Sequence, residues 1–157
     1  MTATNDQFPH RLRRLDHVWL HDGEPTYFLT LCTAGRARRL ATPTVHDRMR
    51  IFLADSLERY GWWVACYVLM PDHLHLFARA KTGAVTLGSW VKALKVLLAQ
   101  REFRWQAGYF DHVLRSAESQ SEKWGYVCNN PVRAGLVPDA AAWPYWGAFH
   151  PDSGKPL

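Results

Sequence analysis

The hydrophobic pattern switches period several times along the chain, and each switch marks an element. After a turn at 21–25, Tyr27 to Thr33 is dense in aromatic and β-branched residues, which predicts a strand. Val45, Met49, Phe52, Leu53 and Leu57 then recur near a spacing of 3.6, which predicts a helix reaching Tyr60. Thr42 or Thr44 can cap that helix, Pro43 suits its first turn, and Gly61 suits its end. Trp62–Met70 and His73–Ala80 read as two strands. The short Pro71-Asp72 connection makes them an antiparallel hairpin. An apolar stripe at Leu87, Val91, Leu94, Leu97 and Leu98 predicts a second helix from Thr86 to about Phe103.

Tyr109 to Leu114 has strand character. A third helix follows, capped by Ser116 or Ser119; Ser119 and Glu122 have the spacing of a capping box. It should stop near Asn130, because Pro131 disfavours helical geometry in the residue before it. Val132 to Val137 reads as a turn with Gly135 in the left-handed region, and Ala140 to Phe149 as an aromatic tail that packs back on the body. The order strand, helix, strand, strand, helix, strand, helix is that of an α+β protein. It matches the ferredoxin-like split βαβ plan, an antiparallel sheet with both long helices on one face and an added C-terminal helix. The opposite face is expected to be open. Residues 1–157 read as one domain, with 1–14 a basic N-terminal arm and 138–157 a C-terminal tail.

The stretch 68–77 organises the rest. Side chains on a strand alternate between faces, so His73 and His75 point one way while Leu74 and Leu76 point into a core. The two imidazoles stand about 7 Å apart along the strand. Two explanations fit. One is an ordinary half-buried strand with polar residues outward. The other is a pair of nitrogen ligands awaiting a third donor.

Composition narrows the choice of partner. The formal charge is +5 and the sequence pI about 9.3, which favours an anionic partner, nucleic acid first. Apolar residues at 48% argue against disorder for the bulk of the chain. Cys32, Cys66 and Cys128 are odd in number and form no C-x-x-C pair, which suits reduced thiols in the cytoplasm. No apolar run approaches the length of a membrane span, and Met1 to Pro9 lacks the apolar core of a signal peptide. Arg11, Arg13 and Arg14 are either a solvated arm or an arm lying on phosphates. Lys92 and Lys95 lie off the apolar stripe of their helix, as solvated lysines or as a phosphate-facing edge.

Tyr126 and Asn130 are four residues apart, so a helix presents both on one side, with Glu122 on the same line. Packed beside the histidine face, Asn130 could give an amide oxygen to a metal held by His73 and His75, with Tyr126 one turn away. A neutral phenol, of pKa about 10, is a poor nucleophile. A divalent ion that neutralises and orients a phosphodiester makes attack by tyrosine feasible. Such attack on DNA conserves the bond energy in a phosphotyrosine, and its reversal rejoins ends. Mixed nitrogen and oxygen donors suit Mg²⁺ or Mn²⁺. Against this stands the plainer possibility that Tyr126 is a packed aromatic and Asn130 a helix C-cap.

Three segments together resemble a known family. Residues 67–76, with His73-Leu74-His75, resemble the histidine–hydrophobic–histidine (HUH) motif of single-tyrosine transposases. Residues 103–106 and 109–115 resemble the segment before the last helix of those proteins. Residues 126–137, from Tyr126 through Asn130-Pro131-Val132 to Gly135, resemble the signature of the REP-associated tyrosine transposases. The likeness spans roughly residues 15–148, with the motifs in order. It implies cleavage and rejoining of single-stranded DNA beside hairpins of repetitive extragenic palindromes, leaving a 5′-phosphotyrosine and a 3′-hydroxyl. It implies Tyr126 as nucleophile, His73, His75 and Asn130 as ligands of Mg²⁺ or Mn²⁺, and a bacterial, cytoplasmic, nucleoid-associated setting. Monomeric and homodimeric action are both compatible with it. Asp72 departs from the pattern, which often has Asn before the first histidine, and is expected to keep the turn.

Three functions follow. The first is a DNA strand transferase with Arg11, Arg13, Arg14, Lys92, Lys95, Arg115 and Arg133 on phosphates. The second is a domesticated protein that binds hairpin nucleic acid without cleaving. The third is a metal-dependent hydrolase in which water attacks and activity survives Tyr126→Phe.

Overall fold

The computed structural model describes residues 25–149. The elements are β1 (Thr26–Cys32), α1 (Pro43–Tyr60), β2 (Trp62–Leu69), β3 (His73–Ala80), α2 (Leu87–Ala99), β4 (Phe110–Leu114), α3 (Ala117–Cys128), α4 (Asn130–Arg133) and β5 (Trp146–Ala148). Single 3₁₀ turns lie at Ala34–Arg36 and Ala140–Ala142. The strands form one antiparallel sheet in the order β4-β1-β3-β2-β5. The first four are in the split βαβ arrangement expected of the sequence.

The local signals operate largely where they were read. Thr42 caps α1 by accepting from the Val45 amide, and Gly61 ends it at φ 78. A Cβ on Gly61 would also lie 2.7 Å from the Ala84 backbone, so the position excludes any other residue twice over. Ser116 caps α3, accepting from the Ser119 amide; the Ser119-x-x-Glu122 pattern lies inside the helix instead. The second helix covers its apolar stripe but is shorter than the expected span from Thr86 to about Phe103. It stops at Ala99, because Gln100 and Arg101 turn left-handed at φ 41 and 67. Pro131 breaks the ladder at Asn129 but starts a fresh helical turn, α4, which takes the first two residues of the turn expected over 132–137.

Alternation divides the core. Leu29, Leu31, Leu74, Leu76 and Ala78 face α1 and α2. There Trp90 stacks on Trp62 at 5.1 Å and donates from its indole to Ser56 Oγ at 2.8 Å. The opposite face is not open, as expected, but half covered. Phe28, Phe77, Val68 and Met70 pack against Trp124, Val127 and Cys128 of α3 and against Trp143 beyond it. β2 is therefore buried along its whole length, a burial that a run of eight mostly apolar residues permits on both sides. Its register shifts between Val64 and Cys66, a bulge that lets Ala65 and Cys66 both serve the α3 side. The aromatic tail does pack back, and it contributes β5 at the β2 edge. Gly147 lies against the Tyr67 ring, where a Cβ would fall 2.6 Å from Cε1.

Candidate functional site

The α3 side of the sheet is apolar at its centre; Arg79, donating to Thr26 Oγ1 at 2.9 Å, lies at one end of β3, and the two histidines emerge at the other. His75 pairs with Thr30 across the strands, and Thr30 Oγ1 lies 2.9 Å from His75 Nδ1. Nδ1 is thus taken, and Nε2 is the nitrogen left to face a ligand. The ring stacks on Phe28 at 5.3 Å. His73 pairs with Cys32 at the start of β3, and its ring meets that of His75 at 4.6 Å, edge to face. Both imidazoles are held neutral. Burial pushes His75 down to about 3, and the charges of His73, Lys123, Arg133 and Arg36 add to it. Burial also lowers His73, against the opposing pull of Asp72.

The helical segment after β4 closes the site. Asn130 Nδ2 lies 3.0 Å from His73 Nε2. Four residues earlier Tyr126 is 59% exposed. Its ring has the Arg133 guanidinium 3.8 Å from its centre and Lys123 Nζ 5.8 Å from it. Lys123 also lies 5.0 Å from the centre of the Phe28 ring, which joins the tyrosine side to the histidine side. Arg133 Nη1 donates to the Tyr126 carbonyl at 2.8 Å. The paired imidazoles and the amide thus meet beside Arg36, while Lys123 and Arg133 lie on the ring of the exposed tyrosine one turn before Asn130.

Among the described residues no group of three or more His, Cys, Asp or Glu side chains could hold a metal ion; the side chain beside the histidine pair is the Asn130 amide. The set still fits a divalent cation. Both imidazoles have their outer nitrogens engaged, by Thr30 and Asp72, and the Asn130 amide can turn its oxygen to the same place. Amide orientation is assigned from the hydrogen bonds around it.

The other candidates scatter. Lys92 and Lys95 lie on α2, against the opposite face of the sheet. Lys92 is exposed. Lys95 Nζ donates to the Gln106 and Gly108 carbonyls and lies 5.9 Å from the centre of the Trp105 ring, so it ties the 105–108 loop to the helix. Arg115 is exposed beyond β4. Arg11, Arg13 and Arg14 lie outside the described residues. Two participants had no sequence signal of their own. Arg36 is one of three arginines in the stretch 36–39, and Lys123 is one polar residue among several on α3. Asp72, read as a turn former, holds His73 Nδ1 at 2.8 Å and Arg36 Nε at 2.9 Å. Burial pushes its carboxyl up, but the bonds from His73 and Arg36 outweigh this and hold it below the usual value.

No family model matches the chain. The fold is that of a tyrosine transposase. A solved structure of a REP-associated tyrosine transposase bound to a REP hairpin superposes with a TM-score of 0.66 at 20% identity, over 79% of this chain and 76% of that one. The REP-associated tyrosine transposase of Escherichia coli K12 is 23% identical over 135 residues, 84% of this chain and 81% of its own. A Haemophilus influenzae Rd protein, provisionally given the same name, is 23% identical over 143 residues, 80% of each chain. The resemblance to the REP-associated tyrosine transposases, carried in the sequence by three motifs, therefore extends through most of the chain and its fold.

Proposed function

We propose that this chain is a transposase-type enzyme that cleaves and rejoins single-stranded DNA beside a hairpin, with Tyr126 as nucleophile. The observation that supports this most directly is the 3.0 Å approach of Asn130 to His73, which brings the tyrosine-bearing segment onto the histidine pair. The relative bound to a REP hairpin supports a hairpin DNA as the partner.

His73, His75 and Asn130 would hold Mg²⁺ or Mn²⁺, the imidazoles by the nitrogens not engaged by Asp72 and Thr30 and the amide by its oxygen. A divalent ion there would supply neutralisation of phosphate charge and polarisation of phosphorus. Arg36, Lys123 and Arg133 draw the phosphodiester to the same end of the sheet. The Tyr126 hydroxyl loses its proton to solvent, to which its side chain is open, and its oxygen attacks phosphorus. The new bond joins tyrosine to the 5′ side of the break. The bond to O3′ opens, and the leaving oxygen takes up a proton as a 3′-hydroxyl. Attack by a 3′-hydroxyl on the phosphotyrosine reverses the step and rejoins DNA. Arg133, on the Tyr126 ring and bonded to its carbonyl, restrains the nucleophile. Arg115, Lys92 and the 11–14 arm supply outlying phosphate contacts.

Covalent trapping tests this. The protein is incubated with single-stranded oligonucleotides carrying palindromes from its own genome and Mn²⁺, then run on a denaturing gel. An adduct is expected from wild type and from neither Tyr126→Phe nor His73→Ala. Cleavage that persists in Tyr126→Phe would make water the nucleophile. Tight hairpin binding with neither cleavage nor adduct would leave a binding protein.

A further inference from the structure

The turn that presents His73 admits one hydrogen-bond assignment from end to end. Asp72 Oδ1 lies 2.8 Å from His73 Nδ1. A carboxylate does not face an imidazole lone pair at that distance, so Nδ1 bears the hydrogen and donates it. Nε2 is then bare, and the Asn130 amide nitrogen donates to it at 3.0 Å. The second carboxylate oxygen, Oδ2, accepts from Arg36 Nε at 2.9 Å, and Arg36 Nη1 donates to Cys32 Sγ at 3.0 Å. With Nδ1 protonated, the 3.4 Å approach of Arg36 Nη2 to that nitrogen is a contact between two donors, not a hydrogen bond.

The turn does not need the Asp72 side chain for its own geometry. The Asp72 carbonyl accepts from the Thr33 amide at 3.0 Å and from the Thr33 hydroxyl at 3.1 Å. The Met70 amide donates to the His73 carbonyl at 2.8 Å. The carboxylate is therefore free for another task. Arg36 adopts a backbone conformation that L-residues seldom take, φ 56, directly after Gly35 at φ 60. The side chain that this turn delivers ends on Asp72.

We infer that Asp72 and Arg36 are positioning residues of the divalent-cation centre: Asp72 fixes His73 as the tautomer whose Nε2 lone pair faces the ion, and Arg36 fixes Asp72. The inference rests on His73, His75 and Asn130 being the ligands. A carboxylate behind a ligating imidazole holds the ring in register and makes its free nitrogen a better donor. The guanidinium on Oδ2 keeps the carboxylate turned to the ring, so that it does not swing round to compete as a ligand itself. An amide at position 72 could accept the same bond but could not form the ion pair with Arg36. Asp72 and Arg36 thus act as a matched pair.

Two measurements on the full chain test this. Long-range ¹H–¹⁵N NMR of the metal-free protein reads the His73 tautomer. Electron paramagnetic resonance of free Mn²⁺ reads affinity without any turnover. Wild type and Asp72→Asn should both show Nδ1–H, with Mn²⁺ affinity in Asp72→Asn lowered by a factor smaller than in Asp72→Ala, because the bond to His73 stays and the ion pair with Arg36 is lost. Asp72→Ala should move His73 toward Nε2–H and weaken Mn²⁺ binding about 10- to 100-fold. Arg36→Met should keep the tautomer and weaken binding by a smaller factor. Nε2–H in the wild type overturns the proposal, whether or not Asp72→Ala folds. So does a folded Asp72→Ala that binds Mn²⁺ as wild type does. Failure of the ligand assignment has a different signature: wild type and His73→Ala then bind Mn²⁺ alike, whatever the tautomer.

Discussion

The two faces of β3 differ by one residue in sequence and by everything in environment. Leu74, Leu76 and Ala78 are fully buried beneath α1 and α2, among Trp62, Trp90 and Leu94. His73, His75 and Phe77 point the other way, toward α3 and the cations it brings. On the first face the core is apolar and its buried polar groups close on one another, as Trp90 does on Ser56 and Ser56 on the Trp62 carbonyl. On the second, apolar packing stops short of the strand end and leaves two neutral imidazoles, an amide and an exposed phenol. One face holds the sheet, and the other uses its rigidity to place donors.

The comparison predicts opposite signatures for neighbouring substitutions. The largest expected effect is on the chemical side: His75→Ala abolishes the covalent DNA adduct on a denaturing gel while far-ultraviolet circular dichroism stays native. Next, Leu76→Ala, one residue along, should cost roughly 2–5 kcal/mol of stability in urea melts, and Trp90→Ala roughly 3–5 kcal/mol. Adduct yield below the melting transition should survive in Leu76→Ala. Equal damage to stability and adduct in both classes would erase the division between the faces.

A third test uses pH. His46 lies under the β5 edge with Nε2 2.8 Å from the Tyr67 hydroxyl, and burial lowers its pKa. Burial lowers His75 as well, to about 3. Between the unfolded value of about 6.5 and these lower folded values, the unfolded chain binds more protons. Stability in chelator should therefore be complete above about pH 6.5 and decline as the pH falls through that window. His46→Gln should flatten the slope; a slope unchanged by it would place the burden on the histidine pair.

Two cations sharpen the contrast further. Arg133→Gln should reduce the salt dependence of hairpin binding by about one phosphate contact, a slope change near 1 in binding against salt. Lys95→Met should leave that slope alone and cost about 1 kcal/mol, since its ammonium caps carbonyls of a loop on the other side of the sheet. The smallest effect on stability belongs to Tyr126→Phe, whose side chain is exposed. Its unfolding free energy in urea should change by less than about 0.5 kcal/mol, although the adduct is lost.

Element order, the hairpin, the Thr42 cap, the Gly61 stop and the alternation that segregates His73 and His75 from Leu74 and Leu76 are legible in the chain itself. Each depends on residues within one helical turn or one strand of one another, where spacing and backbone preference decide the geometry. The likeness to REP-associated tyrosine transposases is legible for the same reason, in three contiguous motifs. The early end of α2 is not marked locally, because Gln100 and Arg101, the left-handed residues that stop it, are residue types a helix readily accepts. β5 was missed as a strand, since three residues carry almost no periodic signal.

Tertiary structure alone decided what covers the second face and what surrounds the histidines. Arg36 and Asp72 are 36 residues apart, Asn130 and His73 are 57 apart, and Thr30 and His75 are 45 apart. Nothing in the local pattern distinguishes Arg36 from Arg38, or Lys123 from Lys95. Charge is long-ranged and side chains are long, so the partner each cation meets depends on where the sheet and helices deliver it. Periodicity specifies which side of an element a residue occupies; only packing specifies what waits there.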